Sequence, residues 1–112
     1  MTTKIIANLE KMLGGPRDGA LLRYSLGNEW LKAGNPAQAA DCFRAAIERD
    51  AKYSAAWKLL GKALAENGET KAALAAFAQG IAVAEARGDV QAAKEMSVFA
   101  KRLRKKLGEG GS

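Results

Sequence analysis

Apolar residues recur every three or four positions along most of this chain, a period that predicts amphipathic helices. The first example places Ile5, Leu9 and Met12 on one face of a helix over residues 4–13. No segment shows the strict alternation of a half-buried strand, so the pattern predicts an all-α protein. The predicted helices span residues 4–13, 18–33, 37–50, a pair within 54–87, and 90–107.

Part of this pattern repeats at one fixed spacing along the chain. The matching pairs are Leu26 and Leu60, Gly27 and Gly61, Gly34 and Gly68, Ala39 and Ala73, and Phe43 and Phe77. A period of about 34 residues is typical of stacked helix pairs in which each repeat covers its neighbour.

The repeated glycine has a physical explanation that does not depend on any family. Gly61 falls in the middle of a predicted helix, where glycine costs about 1 kcal/mol relative to alanine. We therefore expect two helices to approach closely at this point, with Ala73 on the other side of the contact and Phe77 filling it. The same arrangement is predicted one repeat earlier, around Gly27 and Phe43.

These residues resemble the tetratricopeptide repeat family, whose pattern is Trp-x2-Leu-Gly-x2-Tyr on a first helix and Ala-x3-Phe on a second. The residues that carry the resemblance in the second repeat are Trp57, Leu60, Gly61, Ala73 and Phe77. The first repeat departs from the pattern, with Arg23 at the position of Trp57. The resemblance implies a right-handed α-solenoid of antiparallel helix pairs in one domain over residues 1–112. Its parts are a half-repeat helix (4–13), two repeats (20–53 and 54–87), a C-terminal capping helix (89–107) and a flexible tail (108–112).

Small polar residues precede three of the predicted helices. Asp18, Ser54 and Asp89 are predicted to act as N-caps, because their side chains can accept hydrogen bonds from the first backbone amides. Pro36 fits the first turn of a helix, where its missing N–H has no partner to lose.

The residue types present argue against an enzyme. The chain has no histidine and a single cysteine, Cys42, so nucleophilic triads and zinc sites lack components. We interpret Cys42 as a small core residue. We therefore expect no catalysis and no cofactor.

The chain carries a net charge of +6, and the segment 101–106 contributes five of its 18 cations. One interpretation is a patch that binds nucleic acid or another anionic surface. The other is that these cations complement the helix dipole and keep the helix solvated. Leu103 and Leu107 are expected to turn inward with no aromatic residue in the segment, which favours solvation over nucleic-acid binding.

The sequence also predicts where the protein resides. No apolar run approaches the ~20 residues that a membrane span requires. The first residues are interrupted by Asn8, Glu10 and Lys11 and do not resemble a secretory signal. We expect a cytoplasmic protein that does not contact a membrane.

The resemblance further implies a binding surface, because the first helix of each repeat lines a concave groove in this family. The groove residues singled out here are Tyr24, Asn28, Lys58, Leu59 and Lys62. Chaperone adaptors of the family clamp a peptide carboxylate with lysine, asparagine and arginine, and of that set only Asn28 is matched, so the clamp is incomplete. The alternative is that these are solvated polar residues on an open face.

The expected function is a non-catalytic interaction module that binds a protein or an acidic peptide segment in the groove. One alternative is binding of nucleic acid or an anionic surface through the basic C-terminal helix. Another is a structural homo-oligomer, because about three repeats are usually needed to bury a continuous core. A monomer or a weak homo-dimer is expected.

Overall fold

The computed structural model describes residues 2–111, with side chains from residue 3 to residue 108. Its helices are α1 (Thr2–Glu10), α2 (Ala20–Lys32), α3 (Pro36–Arg49), α4 (Ser54–Glu66), α5 (Thr70–Arg87) and α6 (Val90–Gly111). No strand occurs among the described residues, and the all-α prediction is confirmed. Met1 and Ser112 lie outside them.

The helices α2 and α3 form one pair, and α4 and α5 form the next. The offset from the start of α2 to the start of α4 equals that from α3 to α5, and both equal the spacing of the sequence repeat. A glycine with left-handed backbone follows the first helix of each pair, Gly34 at φ 80° and Gly68 at φ 78°. The short turns make the two helices of a pair antiparallel.

A phenylalanine from the second helix of each pair fills the contact with the first helix. Phe43 and Phe77 are 0% and 1% exposed. A Cβ atom added at Gly27 would lie 2.6 Å from Cε1 of Phe43, and one added at Gly61 would lie 2.6 Å from Cδ1 of Phe77. The rings thus occupy the space of the missing side chains, and the predicted close approach is confirmed.

Helix α1 contacts α2, as α3 contacts α4, which is the place predicted for the second helix of a half-repeat. Ile6 is its buried residue. The helix ends at Glu10, so the predicted boundary at residue 13 is too late. Beyond Glu10 the chain tightens into turns, in which the amide of Met12 donates to the carbonyl of Leu9 over 3.0 Å.

Helix α6 lies beside α4 and against α5, in the place that the first helix of a further repeat would take. It begins at Val90, slightly later than the repeat counted from Ser54 would place it, which explains why the sequence pattern does not continue into it. Met96 of α6 is fully buried against Gly80 of α5. A Cβ atom at Gly80 would lie 3.2 Å from Cε of Met96 and 2.8 Å from Cβ of Trp57, so this glycine also marks a close helix contact.

Helix starts agree with the sequence at two places and differ at two. Asn35 accepts a hydrogen bond from the amide of Gln38, with Pro36 in the first turn, and Asp89 accepts one from the amide of Ala92. Ser54, a predicted N-cap, instead lies inside α4 and is buried. Its hydroxyl donates to Asp89 over 3.1 Å, because the tertiary contact offers a carboxylate.

Asp18 is also not the N-cap of its helix, since Gly19 holds that position. Its carboxylate accepts hydrogen bonds from Nε and Nη2 of Arg23 at 2.9 and 2.8 Å, and one from the amide of Gly14 at 2.9 Å. Arg23 stands where the second repeat has Trp57. An ion pair therefore joins the loop before α2 to the first turns of α2.

The C-terminal boundary extends beyond the predicted one. Helix α6 runs to Gly111, whereas the sequence predicted an end at residue 107 and a flexible tail over 108–112. Each further residue adds one hydrogen bond to an existing helix, so the glycines weaken it without stopping it. Leu107 does not turn inward as predicted and is 42% exposed, because α4 ends at Glu66 and offers no surface opposite it.

Candidate functional site

The first helices α2, α4 and α6 lie side by side, with contacts from α2 to α4 and from α4 to α6. The face that they share is called the inner face below. It includes the residues predicted as a binding surface, which are Tyr24, Asn28, Lys58, Leu59 and Lys62. In the described part of the chain, no side-chain hydrogen bond joins the two that lie on α2 to the three that lie on α4.

Tyr24 contributes to packing as well as to the inner face. Its ring stacks on Tyr53 with centroids 4.9 Å apart and planes at 28°, and it contacts Phe43 at 5.8 Å. Burial raises the pKa of the Tyr53 hydroxyl, so this phenol stays neutral near pH 7. Asn28, one turn after Tyr24, is half-buried. The α2 end of the inner face is therefore an aromatic surface bordered by an amide.

Lys58 is already engaged by a carboxylate from α6. Its Nζ lies 3.0 Å from Oε1 of Glu95, and the two side chains are 27% and 40% exposed. The sequence placed Lys58 on the inner face without a partner from α6. Since Nζ of Lys58 already pairs with Glu95, an incoming carboxylate must compete with Glu95 for this lysine.

The remaining predicted residues, Leu59 and Lys62, follow Lys58 along α4. Nζ of Lys62 lies 5.3 Å from the centroid of the Phe99 ring, within the range of a cation–π contact. Leu59 is half-buried and packs against the core. The structure therefore brings Lys58 and Lys62 against α6, although the sequence assigned no α6 residue to this surface.

A cleft opens where the C-terminal end of α4 meets α5 and α6. It is open to solvent, has a volume of about 250 Å³ and is called the α4–α6 cleft. Its floor is apolar and its rim is charged. The floor residues are Ala65, Phe77, Phe99 and Leu103, and the rim residues are Lys62, Glu66, Arg102 and Lys106.

The charge on the rim is unbalanced, with three cations and one carboxylate. Lys62 extends from α4, whereas Arg102 and Lys106 lie one turn apart on α6. Lys101, Arg104 and Lys105 of the same basic segment are exposed and do not line the cleft. Only part of the basic segment therefore belongs to the inner face: Arg102 and Lys106 line the cleft, and the other cations face solvent.

The residues that sequence reasoning missed are those of α6. Phe99, Arg102, Leu103 and Lys106 follow one another at the spacing of a single helix face, and this spacing was the signal available. The repeat alignment assigns none of them to the inner face, because α6 begins out of register with α4.

Residues 3–108 offer little support for a metal site or a reactive thiol. No group of three histidine, cysteine or acidic side chains there is placed to hold a metal ion. Cys42 is half-buried, and burial raises the pKa of its thiol, which disfavours the reactive thiolate. None of the described helices combines the length and the apolar character that a membrane crossing requires.

Comparison with known proteins identifies the class of this fold. The family model of the tetratricopeptide repeat matches residues 24–89. The TPR repeat-containing protein PA0015 of Pseudomonas aeruginosa is 48% identical over 99 residues, which make up 88% of this chain and 94% of that protein. The chain belongs to the tetratricopeptide repeat family.

Solved structures share the arrangement of helices. The solution structure of protein BPP2914 from Bordetella parapertussis matches with a TM-score of 0.80 and 40% identity, covering 91% of this chain and 89% of that one. The crystal structure of the Sgt2 TPR domain from Aspergillus fumigatus matches with a TM-score of 0.82 and 25% identity, covering 99% and 73%. The fold is thus an α-solenoid of a kind that typically serves protein–protein interaction.

Proposed function

We propose that this protein is a non-catalytic interaction module that binds an acidic peptide segment along the inner face. Family membership supports a protein or peptide as the partner. The observation that carries the acidic character is the α4–α6 cleft, where Lys62, Arg102 and Lys106 face a single carboxylate, Glu66. An anionic partner gains from this imbalance, whereas a cationic one is repelled.

The residues predicted from sequence have definite roles in this proposal. Lys62 meets a carboxylate at the cleft, and Lys58 meets a second one after Glu95 moves away. Tyr24 and Leu59 offer apolar contact, and Asn28 offers an amide to the peptide backbone. Contacts between exposed charges are worth about 0.5–1 kcal/mol each, so the affinity is expected to be micromolar and to fall with salt.

A short glutamate-rich peptide with a fluorescent label tests the proposal by its anisotropy. The full chain should bind this peptide and should not bind a lysine-rich peptide of equal length. The double variant Arg102→Glu with Lys106→Glu should weaken binding at least about tenfold, because two attractions become repulsions.

The chain offers a matched control for this variant. Lys101→Glu with Lys105→Glu changes the net charge equally on the same helix but alters residues outside the cleft. The control should retain most of the affinity. Equal losses in both double variants would show that the peptide responds to overall charge, and the proposed site would be wrong.

A further inference from the structure

The floor of the α4–α6 cleft is apolar, and the carboxylates of an acidic peptide gain nothing from an apolar surface. Phe99 and Leu103 present carbon atoms to an open space, with the buried ring of Phe77 beneath them and Ala65 at the edge. The rings of Phe77 and Phe99 are packed together, with centroids 5.8 Å apart. Phe77 is held in turn by Gly61. Because these rings are fixed by the core, the floor is a preformed apolar surface.

The cleft lies where α4 ends and α6 continues. Helix α4 has 13 residues and ends at Glu66, whereas α6 has 22. Lys62 lies over Phe99, so Leu103, one turn later, lies near the end of α4, and Lys106 lies beyond it. The added turns of α6 therefore contribute Lys106 to the rim at a place that α4 does not reach.

The size of the cleft matches one large side chain. Its volume of about 250 Å³ exceeds the ~150 Å³ of an apolar cavity that holds benzene. An aromatic or branched aliphatic side chain can therefore enter it. The rim adds a second requirement, since Lys62, Arg102 and Lys106 surround the opening.

We propose that the α4–α6 cleft binds one large apolar side chain of the partner segment, with carboxylates on both sides of that residue. This inference rests on the proposed function and specifies the partner as an acidic segment with an apolar anchor. The anchor contacts Phe99 and Leu103, and the flanking carboxylates contact the three cations of the rim. Since apolar contact adds to charge, the anchor carries affinity that salt does not remove.

Three synthetic peptides of equal length test the inference against the wild-type protein. The first has a central leucine flanked by glutamates, the second has alanine in place of the leucine, and the third has leucine flanked by lysines. The first should bind about tenfold more tightly than the second, as expected for partial burial of a leucine side chain. The third should not bind. Amide resonances of Ala65, Phe99 and Leu103 should shift when the first peptide is added, and should shift less when the second is added to a fresh sample.

A variant that fills the cleft gives an independent test. Ala65→Leu adds carbon atoms at the edge of the open space and removes no core contact. It should reduce the affinity for the leucine peptide to that for the alanine peptide, while leaving the alanine peptide unaffected. Ala78→Leu is the control, because Ala78 is exposed on α5 and does not line the cleft.

The outcomes separate this inference from the function on which it rests. Equal binding of the leucine and alanine peptides would overturn the apolar anchor and leave acidic-peptide binding standing. Binding of the lysine-flanked peptide would overturn the acidic flanks, and failure of every peptide to bind would overturn the proposed function itself. A molecular mass that rises with concentration in wild type but not in Ala65→Leu would identify a second copy as the occupant, and the proposal would be wrong.

Discussion

The contact between Gly61 and Phe77 shows how one absent side chain fixes the geometry of a helix pair. A Cβ atom at Gly61 would lie 2.6 Å from Cδ1 of Phe77, a distance that packed atoms do not reach. Gly61→Leu should therefore lower the free energy of unfolding by about 1–3 kcal/mol or more through overpacking, despite its better helix propensity. Thermal unfolding followed by circular dichroism measures the change.

Gly108→Ala is the matched control for this substitution. Gly108 also lies in a helix, but a Cβ atom there would meet nothing within 4 Å. Its replacement by alanine should leave stability unchanged or raise it by at most about 1 kcal/mol. A higher melting temperature for Gly61→Leu would contradict the contact described here.

Sequence reasoning succeeded at Gly61 and failed at Asp18 for a physical reason. A glycine and the ring that fills its place have a fixed spacing within a helix pair, so the sequence alone exposes them. A capping residue instead bonds to the best of all the hydrogen-bond donors and acceptors that the fold brings near it. Asp18 has the guanidinium of Arg23, a stronger donor than the backbone amides of the next turn. Ser54 instead donates its hydroxyl to the carboxylate of Asp89, which the fold brings to it from the start of α6.

The ion pair between Asp18 and Arg23 makes the free energy of unfolding depend on pH in acid. The hydrogen bonds from Arg23 and from the Gly14 amide hold the pKa of the Asp18 carboxyl well below its usual range. The carboxylate therefore stabilises the fold above the pKa of about 4 that it has in the unfolded chain. This contribution is lost as the pH falls from that value towards the folded-state pKa.

Asp18→Asn tests this dependence in chemical unfolding measured over a series of acidic pH values. Below pH of about 4, the free energy of unfolding should decline less steeply in the variant than in wild type. Asp41→Asn is the control, because Asp41 is exposed and pairs with Arg44 at 3.4 Å. Parallel curves for wild type and Asp18→Asn would contradict the assignment.

At the scale of single elements, α6 contributes a carboxylate to the inner face. Oε1 of its Glu95 lies 3.0 Å from Nζ of Lys58, as the carboxylate of a ligand would. Glu95→Gln should therefore tighten the binding of a glutamate-rich peptide by a few fold, because Lys58 no longer exchanges one carboxylate for another. The loss of a half-exposed ion pair should change the free energy of unfolding by less than about 1 kcal/mol.

Glu85→Gln serves as the control, since Glu85 is an exposed carboxylate on α5 and lines a different cleft with Val90 and Lys94. Both variants raise the net charge equally. Anisotropy titrations should show tighter binding for Glu95→Gln alone. If both variants bind the peptide equally well, Glu95 does not compete for Lys58.

The basic segment of α6 makes a second prediction at this scale. Lys101, Arg104 and Lys105 are exposed, and Phe99 is held in the cleft against Lys62 and Phe77. Duplex DNA should therefore be retained only at low salt, with log affinity falling by about 0.9 for each phosphate neutralised per decade of salt. Sequence-dependent retention at physiological salt would contradict the peptide-binding proposal.

The helices themselves could be predicted from the sequence, because an apolar period of three to four residues is local information. The rotation of α6 about its axis could not be predicted from the sequence. It depends on Met96 entering the space at Gly80, a contact between two elements. That rotation turns Phe99 and Arg102 towards α4, so the cleft could be identified only from the structure.

At the scale of the whole molecule, the helices form a stack that measures 47 × 30 × 19 Å. Each described helix packs mainly against its neighbours in the chain, and α4 also contacts α2 and α6. In the described part of the chain, α1 contacts α2 alone. The inner face follows from this arrangement, because alternate helices share one side of the stack.

A stack of this kind should lose its structure from the ends inward, because terminal helices have fewer neighbours. Amide hydrogen exchange should be slowest in α3, α4 and the first half of α5, and fastest in α1 and the last turns of α6. Met96→Ala sharpens the test by leaving a cavity between α5 and α6, with a cost of about 2–5 kcal/mol. Protection should then fall in α6 and in the part of α5 around Gly80, while α2 and α3 keep theirs. If protection falls equally in every helix, the chain unfolds as one cooperative unit, and the description of stability through neighbouring helices would be wrong.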